Sequence, residues 1–171
     1  MSHINIEIKA RSKDPNKIRK ILKEKGSRFI GTDHQIDTYF KVANGRLKLR
    51  KGNIENYLIY YQRQDKKGPK QSDVILYKTT SKSLLENILI KALGVFKIVD
   101  KKREIYFIKN VKFHIDQVRG LGSFIEIEAI DKTGKIGKEK LLEQCNQYLK
   151  LFNVSQSDLI SKSYSDLLNK Q

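Results

Sequence analysis

Toward the end of the chain, Phe124-Ile125-Glu126-Ile127-Glu128-Ala129 alternates apolar and acidic residues. In a strand, a period of two puts Glu126 and Glu128 on one face and Ile125 and Ile127 on the other. Neighbouring carboxylates repel, and the cost falls when they surround a hard cation, because Mg²⁺ and Mn²⁺ prefer oxygen ligands. The same pattern serves a half-solvated antiparallel strand with an acidic wet face. Opposite charge collects at Arg46-Leu47-Lys48-Leu49-Arg50, three cations on one face and two leucines on the other. A bound anion would offset their repulsion; a solvated basic face is the plain alternative. Val99, Lys101 and Arg103 share another face, and His114 and Asp116 a fourth, with Phe113 and Ile115 behind them. A lone histidine such as His114 reads first as a structural hydrogen-bonding residue.

These residues need strands to aim them, and the chain supplies strands in order. Ile4, Ile6 and Ile8 alternate with Asn5, Glu7 and Lys9, repeating the acidic strand's pattern at the other end of the sequence. Asp14-Pro15 starts a helix with an Ile18, Ile21, Leu22 stripe that ends at Gly26. From His34 to Val42, Gln35, Asp37 and Tyr39 oppose Ile36, Thr38 and Phe40, and Asn44-Gly45 supplies a tight turn. Tyr57 to Gln64, which carries Arg63, and Val74 to Thr79, which ends near Lys78, are two more strands around a basic loop. Ser83 with Glu86 resembles a capping box for a helix that stops at Gly94. Lys109-Asn110 and Arg119 to Gly122 are turns on either side of Val111 to Val118. After Asp131 the pattern becomes helical: Leu141, Leu142, Cys145 and Leu149 outline one helix, and Leu159 to Leu168 a second, capped by Ser155 or Ser157. The result is one α+β domain over residues 1–171.

Composition narrows the partners without choosing one. The 35 Lys and Arg against 19 Asp and Glu leave a formal +16, which attracts polyanions. Cys145, the single cysteine, sits in a helical apolar run and reads as a core filler; no CxxC metal site exists. Neither a signal pattern nor an apolar run of membrane-spanning length is seen, so the expected location is cytoplasmic.

At least five strands carry charge on one face and Ile, Leu or Phe on the other. An open sheet with a wet face satisfies this, and so does a barrel with an apolar outside covered by helices and a polar lumen. The sorting of charge favours the barrel: acids lie on the first and last strands, cations on those between, as an anion with bound metal requires. A surface built only for solubility mixes its signs.

The same residues resemble the CYTH superfamily, the triphosphate tunnel proteins that include class IV adenylyl cyclases, thiamine triphosphatases and inorganic triphosphatases. Glu7 and Lys9 match the last two positions of the family's opening Glu-x-Glu-x-Lys, with Asn5 in place of the first glutamate. Arg46, Lys48 and Arg50 are similar to its basic strand, Lys101 and Arg103 to its Lys-x-Arg pair, Asp116 to its isolated aspartate, and Glu126 and Glu128 to its closing Glu-x-Glu. The resemblance implies an antiparallel eight-stranded β-tunnel with a charged lumen and flanking helices. It also implies Mg²⁺ or Mn²⁺ held by Glu7, Asp116, Glu126 and Glu128. Phosphates would rest on Lys9, Arg46, Lys48, Arg50, Lys101 and Arg103, with Arg63 and Lys78 as further cations. Tyr39 and Lys9 are the expected catalytic side chains. The expected partner is a small-molecule triphosphate, and neither a membrane nor nucleic acid; pairing as a homodimer is carried over from several members of the group. ATP cyclisation and triphosphate hydrolysis both stay open, as does a noncatalytic triphosphate or nucleic-acid binding module.

Overall fold

The computed structural model describes residues 2–170, with side chains described for residues 4–170. Eight antiparallel strands close into a barrel in the order β1-β5-β4-β3-β2-β6-β7-β8. They are β1 (Ser2–Arg11), β2 (Arg28–Phe40), β3 (Arg46–Lys51), β4 (Tyr57–Arg63), β5 (Lys70–Lys78), β6 (Val95–Ile108), β7 (Val111–Val118) and β8 (Gly122–Asp131). Four helices, α1 (Pro15–Glu24), α2 (Leu85–Leu93), α3 (Lys138–Leu151) and α4 (Tyr164–Asn169), flank it. The expected eight-stranded tunnel is the observed fold. No helix among the described residues is long and apolar enough to cross a membrane.

Alternation decides which face goes where. Ile6 and Ile8 of β1, Phe113 and Ile115 of β7, and Ile125 and Ile127 of β8 form the main core outside the barrel with α1 and α3, packing with Leu22, Leu141 and Cys145. Phe113 is fully buried there, its ring meeting Tyr148 edge-on at 4.7 Å and Phe152 at 5.8 Å. The alternate residues, mostly charged, therefore face inward. Because β1 pairs with β8, the two acidic strands become neighbours: Glu7 lies opposite Glu128, and Lys9 opposite Glu126.

The antiparallel order also sorts the connections between two ends. One end, the mouth, carries the β3–β4 loop (residues 52–56) and the β6–β7 turn at Lys109 and Asn110. Lys109 there adopts a positive φ of 52°, as a tight turn requires. The opposite end is filled by α4, which returns beneath β1 through the Ile160 N–H bond to the Lys9 carbonyl.

Capping differs from expectation at two helices. Ser83 and Glu86 form no capping box: α2 begins at Leu85, and Glu86 instead takes Lys51 at 2.5 Å and Thr38 at 3.3 Å, tying the helix to the outer barrel wall. The last helical pattern splits into a 3-10 turn (Gln156–Asp158) and α4, whose cap is Ser163 in a full box with Asp166. Helix α1 starts on Asp14 and Pro15 as expected.

Phe113→Ala, which empties the centre of the outer core, is expected to cost about 3–5 kcal/mol of unfolding free energy. A urea titration followed by circular dichroism measures it.

Candidate active site

The lumen is charged, buried and strongly paired. Among the described residues, seven cations and four carboxylates line it, an excess that suits an anion. One wall is built by β2, β3 and β6. There Asp37, fully buried, takes Arg50 with two bonds (2.9 and 3.0 Å), Lys48 at 3.0 Å and Lys101 at 2.6 Å. Burial alone would raise the Asp37 carboxyl, but Arg50, Lys101 and Lys48 reverse this and hold it well below the usual carboxylate range. Asp37 is the counterion that lets three cations stand together in a dry interior.

A second group joins β6, β7, β8 and α4. Arg103 is bidentate to Asp116 (2.7 and 2.5 Å) and reaches Glu126 at 2.5 Å. Tyr164 on α4 donates to Asp116 at 2.7 Å. Lys9 meets Glu126 at 3.0 Å and lies over the Tyr164 ring, 3.8 Å from its centroid.

Acidic groups gather where β1, β7 and β8 meet. His114, Glu126 and Glu128 bring ligand atoms within 4.8 Å of one another, and Glu7 faces Glu128 from the next strand. Burial, joined by the charges of Glu126 and Glu7 against the pull of Lys112, pushes Glu128 up to about 7. Burial first, then Arg103 and Lys112, bring His114 down to about 3, so its ring is neutral near pH 7. Its Nδ1 lies 3.1 Å from the Glu126 carboxylate, which accepts, and this assigns the proton to Nδ1. Nε2 is then a buried lone pair with no partner. Two carboxylates and an imidazole nitrogen make a donor set that fits a hard divalent cation.

The wall beside the β3 cations and across from those of β6 is largely apolar. Tyr57, Ile59 and Tyr61 of β4 and Val74 and Leu76 of β5 face the lumen. Nearer the α4 end stands Arg63, which pairs with Glu7 while its Nε and Nη2 are buried without partners.

Most sequence-expected residues reach this lumen: Glu7, Lys9, Tyr39, Lys48, Arg50, Arg63, Lys101, Arg103, Glu126 and Glu128 all line it. Three are placed otherwise. Asp116 was expected on the metal, but both its oxygens are taken by Arg103 and Tyr164, outside the acidic cluster. Arg46 follows the inward parity of β3, yet at the strand's far end it pairs with Asp65 and Asp166, both at 2.9 Å. Lys78 lies opposite Tyr57 on the last residue of β5 and is exposed, outside the lumen lining. Tyr39 accepts from Lys48 at 3.2 Å, and burial with the Asp37 charge raises its phenol, so it stays protonated. Sequence reasoning missed Glu55 and Lys112, and gave His114 a structural role only. The parity of Lys112 with His114 and Asp116 was the available signal for one of them. Glu55 lies in a loop and carries no periodic signal.

A closed antiparallel barrel with a charged lumen defines the class, and comparison gives the class its family. Residues 3–164 match the CYTH domain model. The curated protein "Putative adenylate cyclase MJ0240" of Methanocaldococcus jannaschii is 32% identical over 174 residues, covering 96% of this chain and 98% of the relative. The solved PH1012 protein of Pyrococcus horikoshii OT3 superposes with a TM-score of 0.77 at 25% identity, covering 95% and 98% of the two chains. HpAC1 of Hippeastrum superposes at 0.61 with 12% identity, covering 98% and 95%, a likeness of fold. The chain belongs to the CYTH family, whose members are usually enzymes acting on triphosphates.

Because Asp37 is ionised in the folded state well below its unfolded pKa of about 3.9, its stabilisation is complete above that pH and is lost as pH falls further. Unfolding free energy is therefore expected to drop as pH falls below about 4. Asp37→Asn is expected to flatten that acid limb and to cost about 3–5 kcal/mol at pH 7, three buried cations having lost their counterion. Urea titrations from pH 7 to pH 2 measure both.

Proposed function

We propose that this chain is a divalent-metal-dependent enzyme that converts ATP to cyclic AMP and pyrophosphate. The observation that carries the choice of an organic triphosphate is the two-sided lumen. Lys48, Arg50, Lys101 and Arg103 face phosphate-binding space, while Tyr57, Ile59, Val74 and Leu76 offer an apolar surface to a base. An inorganic phosphate chain has no use for the second wall. The M. jannaschii relative's name agrees with this reading.

Phosphoryl chemistry asks mainly for positioning and for charge placed where charge develops. The Asp37-anchored cations hold the phosphate chain, and Arg63 offers its unpartnered, buried Nε and Nη2 to the phosphate oxygens. Mg²⁺ or Mn²⁺, when held by Glu126, Glu128 and His114 with Glu7 beside them, supplies neutralisation of the phosphate oxygens. In cyclisation a ribose hydroxyl oxygen bonds to the α-phosphorus as its bond to the bridging oxygen breaks, and pyrophosphate leaves. Lys9 is the amine best placed to exchange a proton: burial lowers it from its ordinary value, and Glu126 lies 3.0 Å away. Tyr39, protonated and held by Lys48, orients rather than accepts.

Hydrolysis of a triphosphate is the second reading. The HpAC1 structure is described as revealing a dominant triphosphatase activity, and the cations and acids of this lumen would serve that reaction equally.

Incubation with ATP, tripolyphosphate or thiamine triphosphate and Mg²⁺ or Mn²⁺ is expected to yield cyclic AMP and pyrophosphate from ATP; release of orthophosphate alone assigns hydrolysis. Replacing Glu126 and Glu128 by Gln is expected to lower metal-supported turnover by about 10²-fold or more. Unchanged turnover would remove these residues from the metal site. Ile59→Asn is expected to raise KM for ATP while leaving tripolyphosphate binding within twofold, roughly the effect of losing apolar contact to the base alone.

A further inference from the structure

Glu55 differs from the other carboxylates of the lumen in where it comes from. Glu7, Glu126 and Glu128 sit on strands, whereas Glu55 belongs to the β3–β4 loop at the mouth. Its two oxygens point to different walls. Oε2 accepts from Arg50 Nη1 at 2.9 Å, on the adjoining strand. Oε1 meets Lys112 Nζ, on β7. In the closed strand order, β7 lies across the barrel from β3 and β4, so this ion pair spans the opening.

The loop is built to put the carboxylate there. Asp33, fully buried, accepts the Ile54 and Glu55 backbone N–H groups at 2.9 and 3.0 Å. Gln35 bridges Asp33 at 2.8 Å and Glu55 at 3.2 Å. At Gly52 a Cβ would lie 2.6 Å from both Asp33 oxygens, so the close approach of loop to strand requires glycine. The Asp33 bonds hold the loop backbone independently of the Glu55 carboxylate.

Resting on the triphosphate reading, we propose that Glu55 is a specificity-determining internal anion: it occupies the Arg50 and Lys112 positions across the mouth, and an incoming polyphosphate must displace it. A carboxylate and a phosphate oxygen make the same charge-assisted bonds to guanidinium and ammonium groups. Binding is therefore an exchange of one anion for another. Ligands with enough charge to win both cations enter, and singly charged anions do not repay the loss of the Glu55 pairs. The residue acts on affinity, and the strand-borne groups described above retain the chemistry.

The test is calorimetric binding of tripolyphosphate to the full chain in the presence of a chelator, so that no metal contributes. Glu55→Gln keeps the shape and removes the competing charge; Glu55→Ala removes the side chain and guards against a new amide contact. Both are expected to bind tripolyphosphate about tenfold tighter than wild type, with melting temperatures that show the fold intact. Both are also expected to gain measurable affinity for orthophosphate. A merely structural Glu55 predicts weaker binding on replacement. If wild type binds tripolyphosphate and neither variant binds it more tightly, the competition is disproved and the triphosphate reading stands; if no form binds it in chelator, the three are compared with Mn²⁺ instead, and absence of binding there removes both.

Discussion

Opposite charges kept apart from water, and therefore from everything except one another, are the constraint on which the rest of this molecule depends. Lys101 is 2% exposed and Arg103 3%. Ions so deeply placed lose several kcal/mol of hydration each, and they are tolerable only when matched at short range. Asp37 does this for Lys48, Arg50 and Lys101, and Asp116 with Glu126 does it for Arg103. The stability to carry such an interior comes from outside the barrel, where the isoleucines of β1, β7 and β8 are sealed by α1 and α3. An inverted barrel of this kind fixes its internal charges before any ligand arrives, which is the preorganisation that polyphosphate chemistry rewards.

The pairing also explains why two aspartates behave differently from the carboxylates that gather near His114. Asp37 and Asp116 are engaged from both sides and act as fixed counterions. Glu128 has Lys112 nearby but also faces Glu126 and Glu7, and its carboxyl rises to about 7. Negative charge is crowded there, while Arg63, paired with Glu7, keeps Nε and Nη2 buried without partners. Glu7 links the two groups: it lies opposite Glu128 in the β1–β8 pairing and bonds to Arg63.

Much of this was legible in the sequence because strand alternation is strict. Once Glu126 and Glu128 are opposed to Ile125 and Ile127, and Lys48 and Arg50 to Leu47 and Leu49, the two faces of the barrel follow, and charge sorting distinguishes lumen from solvent. What alternation does not carry is distance along the strand. Arg46 and Lys78 have the inward parity but stand at strand ends, where the same face has left the tunnel. Asp116 shows the limit of reading a residue's chemistry without its neighbours: its carboxylate is suitable for a metal and is already held by Arg103 and Tyr164. Glu55 was invisible for a different reason. A loop residue has no period, and its place in the mouth depends on hydrogen bonds from Asp33 that join positions 21 and 22 residues apart.

The most direct measurement is a crystal structure of the chain grown with Mn²⁺ and tripolyphosphate, with anomalous scattering used to locate the metal. Manganese beside Glu126, Glu128 and His114, with phosphates on Arg50, Lys101 and Arg103, is the predicted result. Ligand seated on the outer basic surface, with the lumen pairs intact and free of manganese, would contradict it.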